Sequence, residues 1–463
     1  MTDITDNSNQ APCENAAGQL PLRIPEGIRY NCQGCGRCCT GYAAGLSEAD
    51  YQRIKDFDWG SHYPQLAGKE LFSHREKEHA AGLSLYPHQT RTNEKGECIF
   101  LIDNLCSIHS TLGESEKPGM CKLFPYTFVP TPSGIYVGVA MNSMAAVRNI
   151  GQLLTEQREH LEHTWHIAVQ QERAHGASQQ VASYADSLTA ENMANVQYDV
   201  NLVAGIPLTW EQYLLIEARI LRVVQTDEFP NVFHVFLAIS DILAEAFRLK
   251  TANADINAIT DFKPSIDRWL KEVPGLFENL VFNLIAFRNN EWTGLRKQYA
   301  TSTATKSPLT QPAIVKAAVR TVLQGKMRLP ELGVISLDKA RNYKIEMLEP
   351  EVDQFIRRYL YHKIFSKTFC GPALSGLSMI AGFNNLSGNF LSAITYAKAH
   401  ALVKGTKQIR LADLYEAYFL IDEEMASLTQ LPREKSQFYD NGFSSARLFS
   451  RLFGQISASV GNN

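Results

Sequence analysis

Cys32-Gln33-Gly34-Cys35-Gly36-Arg37-Cys38-Cys39 sets four cysteines within eight residues, and its reading decides the fold of the early chain. A two-residue gap lets the backbone curl so that two sulfurs face one metal. Gly34 and Gly36 permit tight turns and bring backbone N–H groups close to the thiolates, and Arg37 adds positive charge beside them. Cys38 and Cys39 are awkward as two ligands of one tetrahedral ion, because adjacent side chains diverge. The doublet points instead to two metals, or to a cluster whose several irons accept thiolates from different directions.

A second block follows: Cys98-Ile99-Phe100-Leu101, Cys106-Ser107-Ile108-His109, and Lys117-Pro118-Gly119-Met120-Cys121-Lys122-Leu123-Phe124-Pro125. Seven residues separate its first two cysteines and fourteen the next two, a spacing that matches no familiar zinc finger. Three thiols here and four upstream make seven, with His109 as a candidate eighth ligand. Eight donors would fill two four-coordinate sites; seven would leave one site with an open position, the arrangement for reactivity. Cys13 in the polar tail and Cys370 at the end of a helical segment stand apart, and Cys370 is expected as a buried thiol.

The chain has 463 residues, 45% of them hydrophobic and 20% charged. Two or three domains are expected at roughly 150 residues each. Wholesale disorder is excluded by the apolar fraction. The formal net charge of -3, from 45 Lys+Arg against 48 Asp+Glu, gives no whole-chain reason to expect a nucleic-acid or anionic-membrane partner. No stretch approaches the roughly 20 apolar residues of a membrane-spanning helix. Met1-Thr2-Asp3-Ile4-Thr5-Asp6 offers neither a basic segment nor an apolar one for secretion, so a cytoplasmic protein is expected. In that compartment clustered cysteines favour metal or redox chemistry over disulfides.

Residues 1–24 read as a polar, disordered tail, 25–148 as the cysteine-rich metal-binding domain and 149–463 as a helical domain with a loop at 300–312. Within the second of these, Ser47-Glu48-Ala49-Asp50 predicts a helix start, and Tyr126–Val129 and Ile135–Ala140 predict a β-hairpin around Pro130–Gly134. Thr209-Trp210-Glu211-Gln212 predicts a capping box opening a helix through Val224. Helical periodicity continues over 231–248, 265–288, 312–326, 350–370, 388–404 and 411–428, the last with Leu414, Tyr418, Ile421 and Met425 on one face. Phe449, Leu452, Phe453 and Ile456 predict a final short helix that docks on its own domain. The fold class is therefore mainly α, with a small α+β cysteine-rich domain followed by a large helical one.

Taken as a set, Cys-x2-Cys-x2-Cys-Cys, Cys-Ile-Phe-Leu, Cys-Ser-Ile-His and Pro-x2-Cys-x-Leu-Phe-Pro resemble the YkgJ family of zinc- or iron-chelating cysteine-cluster proteins over residues 28–145. The resemblance implies that Cys32, Cys35, Cys38, Cys39, Cys98, Cys106 and Cys121 bind metal. Two departures stand out. Lys117 replaces the usual Arg before the proline, and Met141-Asn142-Ser143-Met144 stands where many members carry a further cysteine. Tyr359–Phe365 and Tyr396–Leu402 are similar in layout to the flagellin lysine-N-methylase branch of the family, which implies protein lysine methylation as an alternative activity.

His160, His163 and His166 fall at steps of three, but the pattern is not His-Glu-x-x-His, and a solvated helix face beside Leu161 and Trp165 is expected. Asp422-Glu423-Glu424 is likewise expected as solvated surface. No Gly-x-Gly-x-x-Gly, P-loop or Gly-x-Ser-x-Gly motif occurs, so no doubly wound nucleotide or methyl-donor site is indicated. The expected function is a cytosolic metal-binding protein holding an iron–sulfur cluster, preferred over Zn2+, through its cysteines. A lysine methyltransferase and a zinc-braced module binding a protein partner through the helical domain stand as alternatives.

Overall fold

The computed structural model describes residues 21–36, 39, 43–80, 84, 86–141, 143–174, 196–289, 312–329, 333–415, 417–418, 421 and 433–461. Cys13, Cys38, Asp422-Glu423-Glu424 and all but the last residue of the expected 300–312 loop lie outside them. Two compact units partition the chain, one ending at Val196 and the other running from Gln197 onward. The protein is mainly helical, and its strands are short.

In the first unit, β1 (Leu22–Arg23) runs parallel to β8 (Gly134–Val139), which pairs antiparallel with β7 (Tyr126–Thr131). The expected hairpin is present, with its turn narrowed to Pro132-Ser133 because both strands extend into the Pro/Gly segment. The expected tail ends earlier than residue 24. Leu22 is buried and paired to Ile135, since the free edge of β8 supplies backbone partners and an apolar seat. Every residue of β8 is buried, which is why Ile135-Tyr136-Val137-Gly138-Val139 reads as a continuous run rather than an alternation.

A second sheet, ordered β2 (Gly45–Leu46), β4 (His88–Thr90), β3 (Phe72–His74), lies beside α1 (Glu48–Lys55). Ser47 caps α1 through the predicted start: its hydroxyl accepts the Asp50 amide and Asp50 accepts the Ser47 amide. Leu46, Ile54, Trp59, Leu66, Ile99, Phe100 and Ile108 form the core here, drawing in α2 (Trp59–His62), the strands β5 (Leu101–Ile102) and β6 (Leu105–Cys106), and α4 (Ser107–Leu112). Between these come α3 (Glu76–Ala80), and after them α5 (Gly119–Leu123), α6 (Met144–Arg148) and α7 (Arg158–Ala174). Trp165 of α7 packs on Phe128 with centroids 5.6 Å apart, and His160 packs on Tyr126 at 5.4 Å. These contacts keep residues after 148 with the cysteine-rich unit, beyond the boundary read from the sequence. His163 and His166 face solvent, while Leu161 and Trp165 are buried.

The second unit opens on a hairpin absent from the sequence reading, β9 (Val200–Val203) with β10 (Ile206–Leu208). Then α8 (Trp210–Gln225) begins at Thr209 with the expected capping box. It is followed by α9 (Val232–Thr251), α10 (Leu276–Phe287) and α11 (Pro312–Ala318), the last running into a π-turn over Val319–Leu323. The helix expected from 265 begins only at Leu276, because Pro274 removes an amide and blocks the preceding turn, leaving Gly275 as the cap. The hairpin of β11 (Lys326–Leu329) and β12 (Gly333–Ser336) precedes α12 (Leu337–Asn342). After it come β13 (Met347–Leu348), α13 (Pro350–Phe365), α14 (Met379–Lys404), β14 (Gln408–Ile409), α15 (Arg433–Gly442) and α16 (Ser450–Ser457). The helix expected from 350 stops at Phe365, since Lys367 takes a left-handed backbone at φ 60°.

Helix α14 starts nine residues before its expected position, capped by Ser378. Its first turns carry Gly382, Asn384 and Asn385, poor helix formers, and tertiary contacts override that propensity: Asn384 donates to the carbonyls of Phe443 and Ser445, both at 2.8 Å. Residues of α14 are buried on all sides, as expected of a helix at the centre of a bundle. Phe390 of α14 stacks on Phe236 of α9 at 4.9 Å, and Phe453 of α16 stacks on the same ring at 4.6 Å. The final helix thus docks on its own unit through Leu452, Phe453 and Ile456.

Candidate metal centre

Gly36 has φ 70°, and its carbonyl accepts the Cys39 amide at 2.9 Å, a tight turn that a residue with a Cβ would strain. The Cys98 amide donates to the Cys39 carbonyl at 3.4 Å, so the two cysteine blocks meet through backbone. Cys98 lies at the rim of the Trp59–Phe100 core, and the Thr90 hydroxyl is 3.5 Å from its sulfur. Cys106 occupies the capping position of α4 without a side-chain cap hydrogen bond, and the His109 and Ile108 backbone nearby partly offsets the upward push of burial on its thiol.

Cys121 sits on α5, where its amide bonds the Pro118 carbonyl at 2.9 Å. The start of that helix is held by α1: buried Asp50 accepts the Gly119 amide at 3.1 Å while pairing with Arg53 at 2.7 Å. Arg53 in turn reaches Glu116 at 2.6 Å. The capping residue read from the sequence as a helix start therefore also positions the seventh cysteine of the set.

Burial pushes the thiols of Cys98, Cys106 and Cys121 up from their ordinary value, most strongly at Cys121. Each is raised further by cysteine neighbours: Cys98 by Cys106 and Cys39, Cys106 by Cys39, and Cys121 by Cys98, Cys106 and Cys39. Lys117 acts in the opposite sense on Cys106 and Cys121. Four sulfurs from both blocks thus sense one another. Among the described residues, no three of them lie within 4.8 Å of one another.

A cavity of about 370 Å³ opens beside them, its wall including Tyr30, Cys32, Cys35, Cys39, Cys106 and His109. Cys32 and Cys35 are exposed there and His109 is half-buried. Cys370 lies in the other unit, wholly buried, with its thiol raised by burial and by Glu217, as an inert core thiol should be.

The donor chemistry fits a zinc or iron centre. Soft sulfur donors from both blocks lie in one neighbourhood, the ligand type that suits zinc or iron. Sequence reasoning passed over one neighbouring group, His74, Glu76 and His88. The signal was the His-x-Glu triplet with another histidine on the following strand, legible only once β3 and β4 are known to pair.

Residues 31–149 match the CxxCxxCC family model, described as a "Putative zinc- or iron-chelating domain". The segment coincides closely with the 28–145 stretch whose motifs carried the resemblance. An uncharacterised protein of Methanocaldococcus jannaschii is 31% identical over 104 residues, covering 22% of this chain. The chain spans about a third, 31%, of that relative's length. No solved structure matches the chain. No helix among the described residues is long and apolar enough to cross a membrane.

Proposed function

We propose that residues 31–149 hold a metal centre through cysteine thiolates, an iron–sulfur cluster in preference to zinc. Cys39, Cys98, Cys106 and Cys121 supply the inner donors, Cys32, Cys35 and His109 line the open side, and Cys38 is the remaining candidate ligand. The observation that carries this reading is the meeting of two distant blocks, the Cys98 amide bonding the Cys39 carbonyl, with Cys106 and Cys121 near enough for Cys39 to act on their thiols. Buried thiols crowded together ionise at a cost, and a bound cation reverses that cost.

The preference for a cluster rests on the adjacent Cys38-Cys39 pair and on the excess of donors over one four-coordinate site. Adjacent side chains diverge, so neighbouring Cys38 and Cys39 suit a core that accepts thiolates from several directions better than one tetrahedral ion. Bound there, the centre would brace the loops of the cysteine-rich unit and could carry an electron. Thiols of this number persist unpaired in a reducing compartment, which supports a cytoplasmic location.

Elemental analysis and a visible spectrum of anaerobically purified full-length protein test the proposal. Iron with broad visible absorption is expected; colourless protein holding stoichiometric zinc would replace the cluster by zinc. Replacing Cys98 and Cys121 by Ser should lower the metal content, and an unchanged content would refute the centre altogether.

A further inference from the structure

β3 and β4 pair antiparallel with His74 directly opposite His88, so the two imidazoles stand on one face of the sheet. Their Nδ1 atoms are 3.0 Å apart. Glu76, the first residue of α3, brings Oε1 to 3.7 Å from each of these nitrogens. Three donor atoms from three side chains therefore surround one point, all within 4.8 Å of one another. Metal ligands bonded at about 2.0–2.2 Å lie roughly 3.0–3.5 Å apart, close to what is seen without an ion.

The other face of His88 meets a carboxylate. Its Nε2 lies 2.7 Å from Glu48 Oε2. An ionised carboxylate can only accept, so this hydrogen bond puts a proton on Nε2. In the neutral ring Nδ1 then bears the lone pair that faces His74 and Glu76. A carboxylate on one imidazole nitrogen and a free lone pair on the other is the arrangement by which metal-binding histidines are oriented. Tyr51 fixes both rings, with centroids 4.2 Å from His88 and 5.2 Å from His74. His88 is 3% exposed, whereas His74 and Glu76 open to solvent, leaving room for further ligands.

We propose that His74, Glu76 and His88 form a second metal site, taking a divalent first-row transition ion such as zinc through two nitrogens and a carboxylate, with Glu48 positioning His88. Two histidines and one carboxylate with open positions are the donor set of reactive zinc and non-haem iron sites. Its nitrogen and oxygen donors separate it from the cysteine centre, so either site stands if the other fails.

Cobalt(II) titration of the full-length protein, followed in the visible and near-ultraviolet, tests the site. Wild type should bind one cobalt ion that lacks thiolate charge-transfer absorption, whatever ions the cysteines take up. His74→Gln and Glu76→Gln, both exposed and therefore compatible with folding, should each abolish that ion or weaken it at least tenfold while leaving any thiolate band unchanged. Glu48→Gln should weaken it about 10- to 100-fold, as loss of an orienting partner does. Wild-type cobalt uptake and affinity in both His74→Gln and Glu76→Gln would overturn the proposal and reduce the trio to a hydrogen-bonded histidine pair.

Discussion

The Cys98 amide donates to the Cys39 carbonyl at 3.4 Å, joining a cysteine-rich turn to a strand end remote from it in the chain. Ordering of either block therefore depends on the other. Removing bound metal with a strong chelator under reducing conditions should open residues 31–149 to protease while the helical unit stays resistant. Mass spectrometry of the first cleavage products checks this; initial cuts confined to the helical unit would contradict it.

Gly36 holds a left-handed backbone with the Asn104 Cα only 3.2 Å from where a Cβ would sit. Gly36→Ala should destabilise the cysteine-rich unit by about 1–2 kcal/mol. Gly68 has the same φ of 70° but open space around it, so Gly68→Ala separates backbone strain from contact with Asn104. Thermal melting of the two variants should show the larger loss at position 36.

Lys367 reaches both oxygens of Glu217, at 2.7 and 2.8 Å, inside the helical unit, and Tyr213 donates to the same carboxylate at 3.1 Å. Neither charge has water to fall back on. Lys367→Met leaves Glu217 buried and uncompensated and should cost about 3–5 kcal/mol, read as a lowered urea midpoint. Adding Glu217→Gln should restore much of that loss.

Lys398, wholly buried on α14, has its ammonium pushed down to about 7 by burial, and it donates to Ser459 Oγ. Between about pH 7 and the ordinary lysine value near 10.4, the unfolded chain binds a proton that the folded chain does not. Stability should therefore rise with pH across that window, by at most about 1.4 kcal/mol per unit from this group. Ser459 keeps a partner in the carbonyl of Arg341 at 3.1 Å, so Lys398→Met should fold and lose this slope. Urea midpoints at pH 7 and pH 9 test it; an equal slope in the variant would remove Lys398 as its source.

Local patterns were enough for much of the architecture. The capping boxes at Ser47 and Thr209, the hairpin at 126–139 and the amphipathic helices all announce themselves through interactions between near neighbours in the chain. The cysteine set, too, is legible because metal ligation demands particular residue types at short spacings. Helix α14 was read short, since its buried asparagines find partners far away in the chain, Asn384 at the Phe443 carbonyl and Asn385 at the Arg288 guanidinium. The β9–β10 and β11–β12 hairpins have strands of three or four residues, too brief for periodicity to stand out.

Residue type and spacing thus named the candidate sulfur donors and the helical character of the rest. Their neighbourhood was a matter for the folded chain: Cys39 beside Cys98, Cys106 and Cys121, Asp50 reaching from α1 to the start of α5, and His74 facing His88 across two strands. Such encounters depend on strand register and on core packing between segments far apart in sequence, and no window of neighbouring residues contains that information.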